Sequence, residues 1–403
     1  MLENDILSDS QHGFVLGRNC VTQLLQVMDQ WTKIIDEGGE IDAIYLDFAK
    51  AFDKVPHQRL LMKLKQYGIE DKVLKWCTSF LTSRRQRVCI RGCASAWLDV
   101  ISGVPQGSVL GPILFVFYIN DLPEGIRSMV FMYADDTKIA RKVGAVEDRL
   151  ELQKDLENLW HWAEKWQMRF NTDKCKVLHI KRTGDKAEYN MADRGSSMVL
   201  EESKLERDIG VWMDSDLKFS GHVAKVVSTA NQLLGMIKRA FVYKDGPTVK
   251  LLFMSLIRPH LEYANVVWHP FLKKDIQQLE SVQRRATKLV TEMKGMTYQE
   301  RLKGLQLPSL MYRRYRGHAI EVYKYLNGYY KIGGEGIFKL VTEQRTRGHT
   351  YKLIKQGCHT RLRQNFFGLR AVNIWNRLPE TVVMAPSLNA FQLKDHQWSN
   401  LQC

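Results

Sequence analysis

Cysteine is scarce in this sequence, and what there is does not pair. Seven cysteines (Cys20, Cys77, Cys89, Cys93, Cys175, Cys358, Cys403) are scattered over 403 residues. Cys89 and Cys93 stand close, but no His or Cys pair follows them at zinc-finger spacing. The pattern argues against a zinc site or a disulfide framework and points to a reducing compartment. Long apolar runs are missing too. Residues 1–13 carry no apolar signal region. The longest apolar stretch, Val109–Ile119, is broken by Gly111 and Pro112 and is too short to span a bilayer. An intracellular protein is expected, nuclear and/or cytoplasmic and not secreted; no nuclear-import cluster chooses between the two. Internal repeats and long low-complexity segments are also absent. Acidic residues are outnumbered, 44 Asp plus Glu against 59 Lys plus Arg, which leaves a net charge of +15. Such a surplus favours a polyanionic partner, either nucleic acid or an anionic membrane surface, and charge alone does not choose.

What is present suits a globular chain. It is 45% hydrophobic and 26% charged, enough for a sizeable core, and its length suggests two or three domains. Leu24, Leu25, Met28 and Trp31 stand at helical spacing. Ile41–Phe48 alternates as a strand and carries Asp47 at its end. Residues 57–82 read as a helix in two pieces broken at Gly68. Gln86–Arg91 and Trp97–Ile101 suggest a hairpin, and Val109–Asn120 a helix. Met129–Tyr133 and Thr137–Arg141 flank Ala134-Asp135-Asp136, a tight hairpin with acids at its tip. Val146–Arg169 is an amphipathic helix bearing Leu150, Leu156, Leu159, Trp160, Ala163 and Trp166, with Asn171 as its cap. Cys175–Ile180 is a strand, and residues 182–204 read as a mobile loop. Beyond about residue 220 helices dominate, near 222–242, 247–267, 272–293 and 309–327. Basic clusters recur there: Lys238-Arg239, Arg284-Arg285, and Arg313-Arg314 with Arg316. A boundary near 215–220 thus divides an α+β part from a helical, basic part. A glycine-containing linker at 328–350 precedes a last small segment.

The acids carry the chemistry. A strand ending in Asp47 and a hairpin tip with Asp135 and Asp136 would bring three carboxylates to one point. Converged carboxylates repel and raise each other's pKa unless a cation sits between them. Mg²⁺ suits such a place, since it takes one or two carboxylates plus substrate phosphates. Two ions about 3.5–4 Å apart activate an attacking hydroxyl and stabilise a leaving pyrophosphate. The plain readings stand beside this one: Asp-Asp pairs are common at turns, and a strand-terminal Asp is often a helix cap.

The surrounding words are more specific. Tyr45-Leu46-Asp47-Phe48-Ala49-Lys50-Ala51-Phe52-Asp53-Lys54-Val55-Pro56-His57 resembles motif A of non-LTR reverse transcriptases. Gly103-Val104-Pro105-Gln106-Gly107-Ser108-Val109-Leu110-Gly111-Pro112 is similar to motif B, Tyr133-Ala134-Asp135-Asp136 to motif C, and Phe170-Asn171-Thr172-Asp173-Lys174-Cys175-Lys176 to motif D. Ile209-Gly210-Val211-Trp212-Met213-Asp214 stands where the next block would be. Gln11-His12-Gly13-Phe14 and Gly17-Arg18-Asn19-Cys20 resemble the block before motif A. All come in family order, and the closest likeness is to jockey-like LINE elements. Past these blocks, Arg258–Tyr263, Leu279–Leu289 and Asn365–Pro379 resemble C-terminal blocks of the same elements.

The resemblance implies an RNA-directed DNA polymerase with a right-hand fold. Residues 1–215 would be partial fingers and palm, 216–330 a helical thumb or connection, and 331–403 a small C-terminal region. It implies that Asp47, Asp135 and Asp136 are catalytic, and that these three with the Phe48 carbonyl hold two Mg²⁺ ions, Mn²⁺ being a possible substitute. Phe52 would be a steric gate against a ribose 2′-hydroxyl. Gln106 and Gly107 would line the nucleotide pocket, with Lys174 and Lys50 near the triphosphate. Partners would be an RNA template, a DNA primer and deoxynucleoside triphosphates, with no membrane. The basic helices would grip template and primer, and Trp268, Tyr312, Tyr315 and Trp375 would stack on bases or serve as core aromatics. The chain begins near the block before motif A, without the family's endonuclease and longer fingers. That implies an N-terminally truncated enzyme, or a catalytically inactive nucleic-acid-binding remnant.

Overall fold

The computed structural model describes residues 6–181, 183–193, 195–331, 336–342 and 348–400. Helix and sheet are mixed, and the chain gathers into two compact units: Met1–Gln23 with Gly39–Lys204, and Leu24–Gly38 with Leu205–Cys403.

The helix expected around Leu24 is α1 (Cys20–Asp36); Leu24, Leu25, Met28 and Trp31 are all buried. From Leu24 on it belongs to the second unit. In the first unit, β1 (Glu40–Leu46) stops one residue before Asp47. Ile41, Asp42, Ala43 and Ile44 are all buried, as in a central strand covered on both faces. Asp42 is accommodated because His179 Nδ1 lies 2.6 Å from one carboxylate oxygen and the Tyr189 hydroxyl donates to the other at 2.7 Å.

α2 (Ala51–Lys54), α3 (His57–Gln66) and α4 (Asp71–Leu81) follow, and the break between the last two falls at Gly68, whose φ is +78°. The expected hairpin forms, but it is divided into two paired segments and begins at Arg84. It comprises β2 (Arg84–Gln86), β3 (Cys89–Ile90), β4 (Cys93–Ala94) and β5 (Leu98–Val100), with β2 on β5 and β3 on β4. Arg91 and Gly92, both at positive φ, make the turn.

α5 (Leu110–Ile119) buries every side chain from Leu114 to Ile119. β6 (Met129–Tyr133) and β7 (Asp136–Val143) form the acidic hairpin. α6 (Val146–Lys165) buries Leu152, Leu156, Leu159 and Ala163, whereas Leu150 is exposed. It ends earlier than expected, because Gln167 takes φ +54°; Asn171 is therefore not its cap. β8 (Lys176–Ile180) pairs with β1. The stretch expected as a mobile loop holds β9 (Asn190–Asp193), β10 (Ser196–Val199) and β11 (Glu201–Ser203). Tyr189, Met191 and Leu200 are buried there, which supplies the apolar contact a free loop lacks; Arg182 and Arg194 lie outside the described residues. The main sheet runs β11-β8-β1-β7-β6, antiparallel except for the β11–β8 pair.

In the second unit β12 (Leu205–Asp208) pairs with β13 (Val211–Asp214). The expected helix at 222–242 is α7 (Ser220–Ala240). The one expected at 247–267 is divided into α8 (Gly246–Leu252), a π-helical turn at Phe253–Ile257, α9 (Arg258–Glu262) and α10 (Asn265–Trp268). Pro259 lacks the N–H a continuous helix would use, and Ala264 at φ +49° turns the chain again. α11 (Lys273–Thr287) stops short of 293. α12 (Tyr298–Leu305) lies outside the expected helices; Thr297 and Glu300 form its capping box, the T-x-x-E signature of a helix start. α13 (Leu310–Leu326), α14 (Arg361–Gln364), α15 (Phe367–Trp375), α16 (Glu380–Val383) and α17 (Leu388–Asn400) complete the unit. The expected linker at 328–350 falls partly outside the described residues; within it Leu340 bridges to Leu353.

The basic clusters divide. Lys238, Arg239, Arg284 and Arg285 are exposed. Arg313 is paired with Glu262, Arg316 with Asp395, and Arg314 is buried. Trp268 and Trp375 are core residues, while Tyr315 is 46% exposed. No helix among the described residues is long and apolar enough to cross a membrane.

One buried charge ties the first unit together. Lys63 of α3 is 1% exposed; it donates to the Tyr118 carbonyl oxygen at 2.5 Å and to Asp121. Its ammonium lies 3.7 Å from the centre of the Trp166 ring and 4.8 Å from that of Trp162. Burial lowers its pKa to about 8, partly opposed by Asp121. The folded state therefore releases a proton that the unfolded chain keeps up to its ordinary range, so the cost of burying the ammonium falls as pH rises above about 8. Lys63→Ala should cost about 3 kcal/mol by removing the cation beside Asp121 and leaving a cavity among Tyr118, Trp162 and Trp166; Lys63→Met removes the cation but fills the space, and should cost less. Urea unfolding at pH 7 and pH 9.5 should show wild type gaining on Lys63→Met at the higher pH.

Candidate active site

Strand register places the acids. β1 and β7 pair with Leu46 opposite Thr137, so Asp47, the next residue, leaves the sheet beside the start of β7. β6 and β7 pair up to Tyr133 opposite Asp136, which leaves Ala134 and Asp135 as the turn. Ala134 takes a left-handed φ of +54°. Asp47 thus comes level with Asp136 and next to the turn, and Asp135 is near enough to feel its charge. Burial, and then the charge of Asp47, hold the Asp135 pKa above the usual carboxylate value.

The far side of Asp47 is fixed by backbone. The Asn171 N–H donates to the Asp47 carbonyl oxygen at 2.7 Å, and the Ala49 N–H to that of Arg169 at 2.8 Å. Phe48 is buried and stacks on Phe170, ring centres 4.4 Å apart. The Asp47 Oδ2 atom is buried and accepts no hydrogen bond, while Lys174 Nζ stands 3.3 Å from it as an ion pair. Two carboxylates close together, one with a buried oxygen that accepts no hydrogen bond and is ion-paired to Lys174, make a donor set that a hard divalent cation fits. The expected meeting of three carboxylates is narrower in the structure. Asp136 opens β7 and is exposed, and the described residues contain no group of three or more His, Cys, Asp or Glu placed to hold a metal.

Comparison with known proteins bears on this arrangement. Residues 1–223 match the family described as reverse transcriptase (RNA-dependent DNA polymerase). The chain belongs to the reverse transcriptase family. The likeness to jockey-type non-LTR elements stands as well. The chain is 25% identical over 299 residues to a probable RNA-directed DNA polymerase from transposon X-element of Drosophila melanogaster, covering 71% of this chain and 32% of that protein. It is also 25% identical over 295 residues to the RNA-directed DNA polymerase from the mobile element jockey of the same species, covering 70% and 32%. This chain thus spans about a third of the length of these relatives. A structure of apo telomerase from Candida tropicalis aligns over 76% of this chain and 49% of its own, at 11% identity and a TM-score of 0.42. Divalent-metal use goes with reverse transcriptases in general.

The remaining expected residues of this reverse transcriptase chain lie around one junction. The Val104 N–H donates to the Phe52 carbonyl oxygen and the Gly103 N–H to that of Val55, both at 2.8 Å. Gly103 is obligatory there: its φ is +84°, and a Cβ would come within 2.7 Å of the Asp53 backbone. The Gln106 amide donates to Asp53 at 2.7 Å, a pairing that spacing alone did not reveal. Phe52 is partly buried and stacks on Phe115 at 4.3 Å, so one ring face is already packed. Gly107 (φ +81°) and Lys50 (φ +56°) are exposed. Sequence reasoning missed the roles of Asn171, which pairs with the end of the Asp47 strand, and of Gln11, whose amide oxygen accepts from the Ala134 N–H. Both stand inside recognised motifs, but nothing in residue type announces a backbone contact.

The sign of the Asp135 shift gives a test. Its folded pKa is raised, so the neutral form is favoured and ionisation costs stability once the pH passes the folded value. In EDTA, Asp135→Asn should melt at or above the wild-type temperature at pH 7. That advantage should vanish as the pH falls through the carboxylate range.

Proposed function

We propose that this chain is the polymerase core of a non-LTR retrotransposon reverse transcriptase, which adds deoxynucleotides to a primer 3′-hydroxyl on an RNA template. The observation that supports the reading is the electrostatic coupling of Asp135 to Asp47, with Lys174 ion-paired to Asp47, within a family-matched segment. In this reading residues 1–215 are partial fingers and palm, 216–330 a helical thumb or connection, and 331–403 a small C-terminal region. Asp47 and Asp135 would hold Mg²⁺, or Mn²⁺, with the Phe48 carbonyl and Asp136 as further donors. Bound metal supplies activation of the primer hydroxyl and charge neutralisation at the leaving pyrophosphate.

The chain's own residues do the rest. Lys174 places an ammonium beside Asp47, where it balances carboxylate charge and offers a cation to an arriving triphosphate. Phe52, braced by Phe115, presents its free edge to the sugar and disfavours a 2′-hydroxyl. Gln106, tethered to Asp53, and Gly107 line the same approach, with Lys50 at its exposed rim. The exposed pairs Lys238-Arg239 and Arg284-Arg285 suit phosphate contact. A nucleic-acid substrate sets the place of work as nuclear and/or cytoplasmic.

Primer extension on an RNA template with Mg²⁺ tests the reading. The purified chain should extend, and Asp135→Ala should bind template and primer but not extend. Phe52→Ala should incorporate ribonucleotides roughly tenfold better relative to deoxynucleotides. Binding without extension by the wild-type chain would instead mark a nucleic-acid-binding module.

A further inference from the structure

The acidic turn is not held by the sheet alone. Residues Ser10–His12 lie along β6, with Gln11 bridged to Met132. The His12 N–H donates to the Met132 carbonyl oxygen at 2.8 Å, and the Met132 N–H to that of Ser10 at 2.9 Å. This brings the fully buried Gln11 side chain under the turn. Its Oε1 accepts two backbone N–H groups, from Ala134 at 2.9 Å and from Gly13 at 2.7 Å. The approach needs a glycine, because a Cβ at Gly13 would run into the Ala134 backbone. Arg18 closes the segment from behind, donating to the Gln11 carbonyl oxygen at 2.8 Å.

Ala134 is the residue that needs help. It has a Cβ, yet it holds a left-handed φ that favours glycine. Its N–H is buried against Gln11, so losing the acceptor removes what fixes this conformation and strands a donor. The next residue is Asp135. We propose that Gln11 is a positioning residue for polymerisation: its amide oxygen locks the left-handed turn that presents Asp135 to Asp47. The inference rests on the reading of that pair as a metal site.

Two substitutions isolate the oxygen. Gln11→Met keeps the length and removes the acceptor; it also removes a buried Nε2 that has no partner, so the global fold loses little. Gln11→Glu keeps an acceptor oxygen. Hydrogen–deuterium exchange of the peptide spanning residues 129–136, the thermal midpoint, and Mn²⁺ affinity by calorimetry are measured on the whole chain. In Gln11→Met the turn peptide should exchange at least about tenfold faster while peptides from β8 and α6 do not change. Mn²⁺ should bind roughly 10–100-fold more weakly, the range for loss of an outer-shell partner. Gln11→Glu should restore protection of the turn. Unchanged exchange at the turn, equal acceleration across the first unit, or no rescue by Gln11→Glu would overturn the proposal. If the wild-type chain binds no Mn²⁺, the metal reading of the acid pair fails, and the exchange measurement still decides whether Gln11 locks the turn.

Discussion

The position of Asp47 beside the acidic hairpin depends on one register, Leu46 opposite Thr137 in the pairing of β1 with β7. A strand's side-chain period is two, so a slip of one residue would send Asp47 to the other face of the sheet. The register is fixed on both sides of β1. β8 pairs across Ile41–Tyr45, and the buried Asp42 is locked to His179 and Tyr189. A buried polar cluster of this kind stabilises one alignment, because any other would leave its carboxylate unpaired. The sheet thereby sustains a local conflict, two partly buried carboxylates near enough for one to raise the other's pKa, which an isolated hairpin could not maintain.

Much of the first unit was legible because its signals are local. The apolar run at Leu110–Ile119, the tight hairpin around Ala134-Asp135 and the break at Gly68 each follow from residue type and spacing over a few positions. The motifs added order along the chain, and the fold supplied what they mean in space. The N–H of Asn171 reaches the Asp47 carbonyl from far along the chain. Gln106 reaches Asp53, and Gln11 reaches Ala134. Such contacts join backbone groups, or amides of no special composition, and one sequence carries no signal for them.

The misreadings have physical causes as well. Residues 182–204 are polar and contain glycines, a composition that predicts a free loop; three buried side chains, Tyr189, Met191 and Leu200, organise strands there. The run at 247–267 is periodic enough for one helix, but Pro259 and the left-handed Ala264 divide it. The basic clusters after residue 220 suggest a grip on template and primer, and in the fold they divide. Arg313 and Arg316 are spent on ion pairs within the second unit and Arg314 is buried, while Lys238, Arg239, Arg284 and Arg285 face solvent. Arginine carries packing and fork-shaped hydrogen bonding along with charge, so counting charges overstates the surface available to a polyanion.

The central claim is that Asp47 and Asp135 act as one site for a divalent cation. A double-substitution cycle with Mn²⁺ addresses it: calorimetric affinity of the wild-type chain, Asp47→Asn, Asp135→Asn and the pair together. A shared site requires each single change to lose most of the affinity and the second change to add little. Two losses that simply sum, or Mn²⁺ binding that ignores both substitutions, would show that the two carboxylates do not share an ion.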